Sequence, residues 1–326
     1  MLFSVIIPAY NCEETIENTV DSIAESGIKD YEILIIDDGS TDKTGSICDS
    51  LSQKMPSVRC IHQINAGVSA ARNCGIENSQ GEYILFFDAD DSLDSNSLCN
   101  AVSTVEIERP DMLIFGIRFD YYHREHIYRR DSLVPPLAGA ICVDKVIHNF
   151  NEFYESNSLS SVCNKIFSRA SIVKANASFD EDMILMEDFM FSLNVLPCCS
   201  DIYCLQKPIY HYRQSEDEKK TYRRLCSIND LPDYLLPFSR QIELLGVSDS
   251  DKFMDNLYKM LLEQRLYYAS YEDICNVMTQ HRNSIYSGID IENRPFVIYL
   301  RNKKSQLRHS IAVIVKSIFC RLGGNR

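Results

Sequence analysis

No stretch of the chain is apolar over the ~20 positions that a membrane-spanning helix needs. The opening run Leu2–Pro8 is apolar but short. It has no charged segment before it and no small-residue cleavage site after it, so a secretory leader is not expected. Positive charge is scarce: 33 Lys and Arg face 46 Asp and Glu, and the formal charge of −13 argues against nucleic acid as a partner of the body of the chain. No G-x-G-x-x-G follows any expected strand, which removes the dinucleotide-binding dehydrogenases. The 13 cysteines include one adjacent pair, Cys198–Cys199, without a second pair at zinc-site spacing. Scattered through expected strands and helices, they point to reduced thiols in a cytoplasmic protein. Internal repeats and low-complexity segments are also missing.

What is there reads as a soluble globular chain of 326 residues, 45% of them apolar, long enough for one large α/β domain with an appendage or for two domains. The first third alternates two periodicities. Leu2–Pro8, Glu32–Asp37, Val58–His62 and Glu82–Asp88 are short, almost wholly apolar runs, as strands buried on both faces would be. Between them lie helical patterns. Ile16, Val20, Ile23 and Ala24 follow Asn11 and Glu14 at capping-box spacing; Thr44, Ile47, Cys48 and Leu51 follow Ser40 as an expected N-cap; Val68–Asn78 forms a third helix that stops near Gly81. Such repeats predict right-handed βαβ units in a doubly wound, mostly parallel sheet. Beyond Asp91 the pattern loosens: Asp111–Ile117 predicts a strand, Arg118–Leu133 a hairpin, and the chain from about Ile228 a helical region.

The polar clusters fall after strands, where an open α/β sheet places its ligand. Pro8-Ala9-Tyr10-Asn11-Cys12-Glu13 follows the first strand, Asp37-Asp38-Gly39-Ser40 the second, and Asp88-Ala89-Asp90-Asp91 the fourth. Two carboxylates one residue apart on a bend suit a hard divalent cation such as Mg²⁺ or Mn²⁺, with open positions for substrate phosphates; a solvated acidic turn is the alternative. Asp37-Asp38-Gly39-Ser40 is either a turn with a cap or a carboxylate that accepts from a base N–H. Tyr10 is either a core aromatic or a ring that stacks on that base.

Taken in order, P-A-Y-N-x-E, I-D-D-G-S-T-D, N-x-G-V-S-x-A-R-N-x-G-I and G-E-Y-I-L-F-F-D-A-D-D resemble the inverting glycosyltransferases of family 2, whose fold is called GT-A. Asn164-Lys165, Glu187-Asp188 and the segment Pro208–Arg213 resemble that family's later motifs, so the resemblance covers residues 1 to about 215. It implies an enzyme that moves a sugar from a nucleotide-sugar, expected to be a UDP-sugar, to an acceptor hydroxyl. It implies Pro8, Tyr10 and Glu13 at the nucleoside, Asp38 reading the base with Asp37 beside it, and Arg72, Asn73 and Asp88 near the nucleotide. It further implies Asp90 and Asp88 at a Mn²⁺ or Mg²⁺ ion with His211 as a further contact, and Asp188 as catalytic base supported by Glu187. For His211, simple packing between Tyr210 and Tyr212 is the alternative. The family often has Gly before its E-D pair; here Met186 stands there. By analogy the acceptor is a saccharide or lipid-linked saccharide of bacterial surface-polysaccharide assembly.

Residues 1–215 are thus expected to be the catalytic domain, with 1–95 as its nucleotide half and 96–215 as its acceptor half, followed by a helical region at 216–326. The last 26 residues hold seven Lys and Arg and no acid, leaving −20 on the rest. Ile311, Val315, Ile318, Phe319 and Leu322 fall on one helical stripe there. This tail is expected either to lie on an anionic membrane surface, the inner face of the cell membrane, or to pack on the acidic body. Two other functions compete. A sugar nucleotidyltransferase would carry a Gly-rich phosphate loop where Ala9-Tyr10-Asn11 stand. A non-catalytic nucleotide- or carbohydrate-binding module would have no need of Asp88, Asp90 and Asp188 together.

Overall fold

Unbroken apolar runs make the centre of one sheet. The computed structural model describes residues 1–123, 126–183, 185–214, 231–267 and 275–276. Strand β1 (Phe3–Ala9) is buried along its length except at Pro8; β2 (Tyr31–Asp37) is buried after Tyr31, and β4 (Tyr83–Phe86) throughout. Successive strand residues point to opposite faces, so this burial means that both faces are covered. With β3 (Val58–His62) these strands form a parallel set in the order β3-β2-β1-β4.

Helix α1 (Ile16–Ala24) buries Ile16, Val20 and Ile23, α2 (Thr44–Lys54) buries Cys48 and Leu51, and α3 (Val68–Asn78) buries Ala71, Arg72 and Gly75. The register sets Ala9 beside Asp37, and Asp37 beside His62. The carboxyl ends of β1, β2 and β3 therefore finish level, and the loops that leave them share one rim.

After β5 (Ser92–Leu93) and α4 (Cys99–Glu108) the sheet continues with antiparallel strands. These are β6 (Met112–His123), β7 (His126–Leu133), β8 (Gly139–Cys142), β9 (Lys165–Ser168) and β10 (Asp201–Gln214). The full path is β3-β2-β1-β4-β9-β6-β10-β5, with β7 beside β6 and β8 beside β10. Short helices α5 (Val143–His148), α6 (Phe150–Glu155), α7 (Arg169–Ala175) and α8 (Glu187–Val195) lie between these strands. The expected strand at Asp111–Ile117 runs on to His123 as β6, and β7 pairs with it. The result is the expected α/β sheet, mixed in strand direction.

Two expected helix caps are corrected. Helix α1 starts after Thr15 and α2 after Lys43, neither with a side-chain cap. Asn11 instead accepts the Thr41 N–H at 2.8 Å, and Ser40 Oγ accepts the Asn11 N–H at 3.1 Å. Both side chains bridge two loops, and that cross-loop bonding outcompetes capping of their own helices. Asp42 serves the start of α2, accepting the Thr44 N–H at 2.9 Å.

The chain divides into two compact units, Met1–Asp120 with Asp131–Arg213, and Tyr121–Arg130 with Gln214–Arg326. In the second, α9 (Leu231–Leu244) and α10 (Ser250–Tyr267) pair, with Leu235, Phe238, Ile242, Leu257, Tyr258 and Leu261 buried. The basic segment at 301–326 lies outside the described residues. Among the described residues no helix is long and apolar enough to cross a membrane.

Candidate active site

The loops after β1 and β2 are stitched together by reciprocal hydrogen bonds. Backbone N–H groups of Cys12 and Glu13 donate to Thr44 Oγ1 (2.8 Å) and Asp42 Oδ2 (3.2 Å), and the Lys43 N–H donates to Glu13 Oε2 (3.0 Å). Asn11 holds φ 49°, a left-handed conformation that Asn tolerates better than most residues. The stitched loops border a cleft of about 630 Å³, lined by Pro8, Tyr10, Glu13, Asp42, Val68, Arg72, Asp88 and Asp90 among others. That volume is within the range of small-ligand sites. Tyr10 is 51% exposed at the cleft.

At the floor of the cleft one buried guanidinium gathers three carboxylates. Arg72 donates through Nη1 to Asp188 Oδ1 (2.7 Å) and Glu187 Oε1 (3.3 Å), and through Nη2 to Asp88 Oδ1 (3.1 Å). Behind it the Phe179 ring lies 5.2 Å from the Arg72 Cζ, and Phe179 stacks on Phe191 in the core with centroids 4.2 Å apart. This cluster joins residues 72, 88 and 187–188, from three separate elements. Asp188 Oδ2 accepts the Val162 N–H at 3.2 Å. Met186, with φ 63°, turns the chain into α8 so that Glu187 and Asp188 lead the helix toward Arg72. Glycine takes such a left-handed backbone more readily than the Met186 that stands here.

Burial raises the Asp188 carboxyl against the pull of Arg72, and the Asp88 charge adds to the rise. Burial, then the Asp188 charge, pushes Glu187 up to about 7. Lys165, fully buried beside Asn164, is lowered to about 7 by desolvation, with the Asp188 charge opposing. Asp90 lies open to the cleft, yet the enclosing walls and the neighbouring Asp88 carboxylate raise it to about 6.

Asp91, absent from the sequence-based site, is the structural member of its cluster. It accepts from the Tyr210 hydroxyl and, at 2.7 Å, from the Arg213 N–H, while the Asp88 N–H donates to the Tyr210 oxygen at 3.2 Å. Thr19 Oγ1 holds the bend from below, 2.9 Å from the carbonyls of Ala89 and Asp91. The acidic bend is thereby locked to β10. The signal was in the sequence, a third Asp directly after D-x-D, but nothing marked its partner, Tyr210, about 120 residues away.

Hydrogen bonds also hold the remaining expected residues. The Asp38 oxygens accept from Gln63 Nε2 and from the N–H groups of Ala66 and Gly67, each at 2.8 Å, pinning the loop before α3. Burial works against the Asp37 charge, but hydrogen bonds from Ser40 and His62 hold it below the usual carboxylate range. Asn73 clasps the Phe179 backbone (Asn73 Nδ2 to O, 2.9 Å; Phe179 N–H to Asn73 Oδ1, 2.8 Å), which positions the ring under Arg72. His211 Nδ1 accepts from Arg118 at 2.7 Å, so its Nε2 carries the proton and faces Asp94 at 3.1 Å.

The donor set fits a hard cation. Asp88 is shared with Arg72 and with the Cys163 thiol at 3.5 Å, whereas Asp90 takes no hydrogen bond from a described side chain and faces the cleft. Asp90 is thus the carboxylate left to meet an ion directly.

A carboxylate-rich cleft at the carboxyl rim of a doubly wound sheet defines a nucleotide-sugar transferase fold of the GT-A class. The chain belongs to glycosyl transferase family 2, whose model matches residues 4–173. It is 31% identical over 216 residues to the uncharacterized glycosyltransferase EpsJ of Bacillus subtilis, 66% of this chain and 61% of that one, so it spans less than two thirds of that relative's length. It is 26% identical over 277 residues to the cholesterol galactosyltransferase of Borreliella burgdorferi, covering 83% and 75% of the two chains. The crystal structure of S. aureus TarS 1–349 in complex with UDP-GlcNAc matches with a TM-score of 0.62 and 20% identity, over 87% of this chain and 80% of that chain, a likeness of fold.

Proposed function

We propose that the chain is an inverting glycosyltransferase that moves a sugar from a UDP-sugar to an acceptor hydroxyl. One observation carries this reading: Arg72, which lines the cleft, pairs with both the acidic bend at Asp88 and the Glu187–Asp188 pair. Donor-side and acceptor-side carboxylates thereby stand on either side of a single guanidinium, the arrangement that a one-step displacement needs.

A hydroxyl is a weak nucleophile, so its proton must be taken as it attacks, and a positioned base contributes ~10²–10⁴-fold. Asp188 is that base. Its raised proton affinity suits the task, and Arg72 and the Val162 N–H hold it in one orientation. Tyr10 supplies a face for the base of the donor, and Pro8 shapes the wall beside it. A Mg²⁺ or Mn²⁺ ion held by Asp90 with Asp88 would supply Lewis-acid stabilisation of the leaving diphosphate. TarS was crystallised in complex with UDP-GlcNAc, which supports a UDP-sugar donor here. The Borreliella relative is a galactosyltransferase of cholesterol, which supports a lipid or lipid-linked acceptor at a membrane face.

The test is nucleotide release from a panel of UDP-, GDP- and dTDP-sugars. Release is expected with a UDP-sugar, lost with EDTA and restored by Mn²⁺ or Mg²⁺. Asp188→Asn should keep donor binding and lose at least about 10²-fold in transfer. Turnover that survives both EDTA and Asp188→Asn would end this reading.

A further inference from the structure

On the edge of the sheet away from the acidic bend, α2 and β3 bring three different metal-binding groups together. Cys60 and His62 are two apart on β3 and so face the same side, and Asp49 reaches them from α2. Their ligand atoms all lie within 4.8 Å of one another, the one such group of three found among the described residues. His62 Nε2 is 3.1 Å from Asp49 Oδ1 and 3.6 Å from Cys60 Sγ.

We propose that Asp49, Cys60 and His62 bind a zinc ion. In a tetrahedral site with Zn–N and Zn–O near ~2.0 Å and Zn–S near ~2.3 Å, ligands stand about 3.3 Å apart for N and O and about 3.5 Å for N and S. The two measured edges match these. The second contact of the histidine is also in place: His62 Nδ1 lies 2.8 Å from Asp37 Oδ2, the carboxylate–histidine pairing that fixes the ring so that Nε2 faces an ion. Sulfur with imidazole selects zinc over the hard cations that suit Asp88 and Asp90. On binding, Zn–S, Zn–N and Zn–O bonds replace three of the ion's water ligands, and the thiol proton and the His62 Nε2 proton that faces Asp49 go to solvent. A fourth position is left for water.

The site reaches the donor cleft through the backbone. Asp37 Oδ1 accepts the Ser40 N–H at 3.1 Å, and Ser40 Oγ accepts the Asn11 N–H, next to Tyr10. Zinc here ties the α2–β3 edge to the loop that carries the base-stacking ring. The ion is structural, and its binding can be read without any transfer assay.

Co²⁺ titrated into the metal-free full chain is the experiment. The expected result is a thiolate-to-cobalt charge-transfer band in the near ultraviolet, with visible bands of tetrahedral strength, bleached by one equivalent of Zn²⁺. Cys60→Ser should remove the band, and Asp49→Asn should weaken Zn²⁺ at least about 10-fold in competition with a chromophoric chelator. Asp90→Ala should leave both unchanged, and Zn²⁺ should raise the Tm of the wild type but not of Cys60→Ser. A wild type without the charge-transfer band, or a band at full strength in Cys60→Ser, overturns the proposal. If Cys60→Ser does not fold, the exposed Asp49→Asn decides alone, and unchanged Zn²⁺ affinity there overturns it equally.

Discussion

Arg72 was legible in the sequence as a residue near the nucleotide, but its central position was not, because its partners stand 16 and about 115 residues away. The same limit applies to Asp38 and Asn73: a motif gives the residue, and only the fold gives the direction of its side chain. The Arg72 cluster leads to a pH prediction. Glu187 and Asp188 share one guanidinium and titrate as a unit. With Glu187 at about 7, a proton enters the pair as pH falls through neutrality, and the rate falls on the acid side. Glu187→Gln removes one titrating site and a negative charge beside Asp188, so the acid limb of kcat/KM should move to lower pH by roughly one pH unit. The stability effect has a definite sign. Folded Glu187 keeps its proton up to about 7, whereas the unfolded chain releases it near 4.5. Its contribution is therefore fully present below 4.5 and lost as pH rises through 7, and Glu187→Gln should flatten that slope in urea midpoints. An acid limb that does not move in the variant would show that the pair does not control the rate.

The elements of the first 90 residues were readable nearly to the residue, α3 and β3 with the same bounds, since buried parallel strands and amphipathic helices carry strong periods. The later strands were harder. β9 has four residues, and β10 runs for 14 with exposed and buried positions mixed, so neither presents a single period. Where the sequence did speak, at Gly81 before β4, the reason is packing. A Cβ there would sit 2.5 Å from Ser4 N and 2.6 Å from the Phe3 carbonyl carbon, backbone of a central strand that cannot yield. Gly81→Ala should cost about 1–3 kcal/mol through this overpacking. Gly67→Ala is the useful contrast, because open space surrounds that position and only its φ of 94° opposes a side chain. Denaturant midpoints compare the two. If Gly81→Ala matched the wild type, β4 would have to dock on β1 less tightly than the structure shows.

At the scale of the whole molecule the charge is divided. The chain carries −13 in total, yet its last 26 residues contribute +7 and the rest −20. An anionic membrane repels such a body and attracts such a tail, and at physiological ionic strength the two forces act separately beyond ~8 Å. If the tail docks on such a surface, a chain so charged is expected to meet it tail first. Lys303, Lys304, Arg308, Lys316 and Arg321 flank or interrupt the apolar stripe from Ile311 to Leu322, and each basic residue near the surface contributes about 1 kcal/mol. The sum suffices for reversible docking and stays far below the hold of a spanning helix. The competing arrangement is neutralisation of the tail on the acidic body, and vesicle flotation separates the two. The full chain should float with vesicles containing phosphatidylserine, remain in solution with neutral ones, and release as salt rises. A chain ending at Leu300 should remain in solution with both. Equal flotation of the two chains would place the membrane contact elsewhere. Aggregation of the shorter chain would instead show that the tail covers apolar surface on the body.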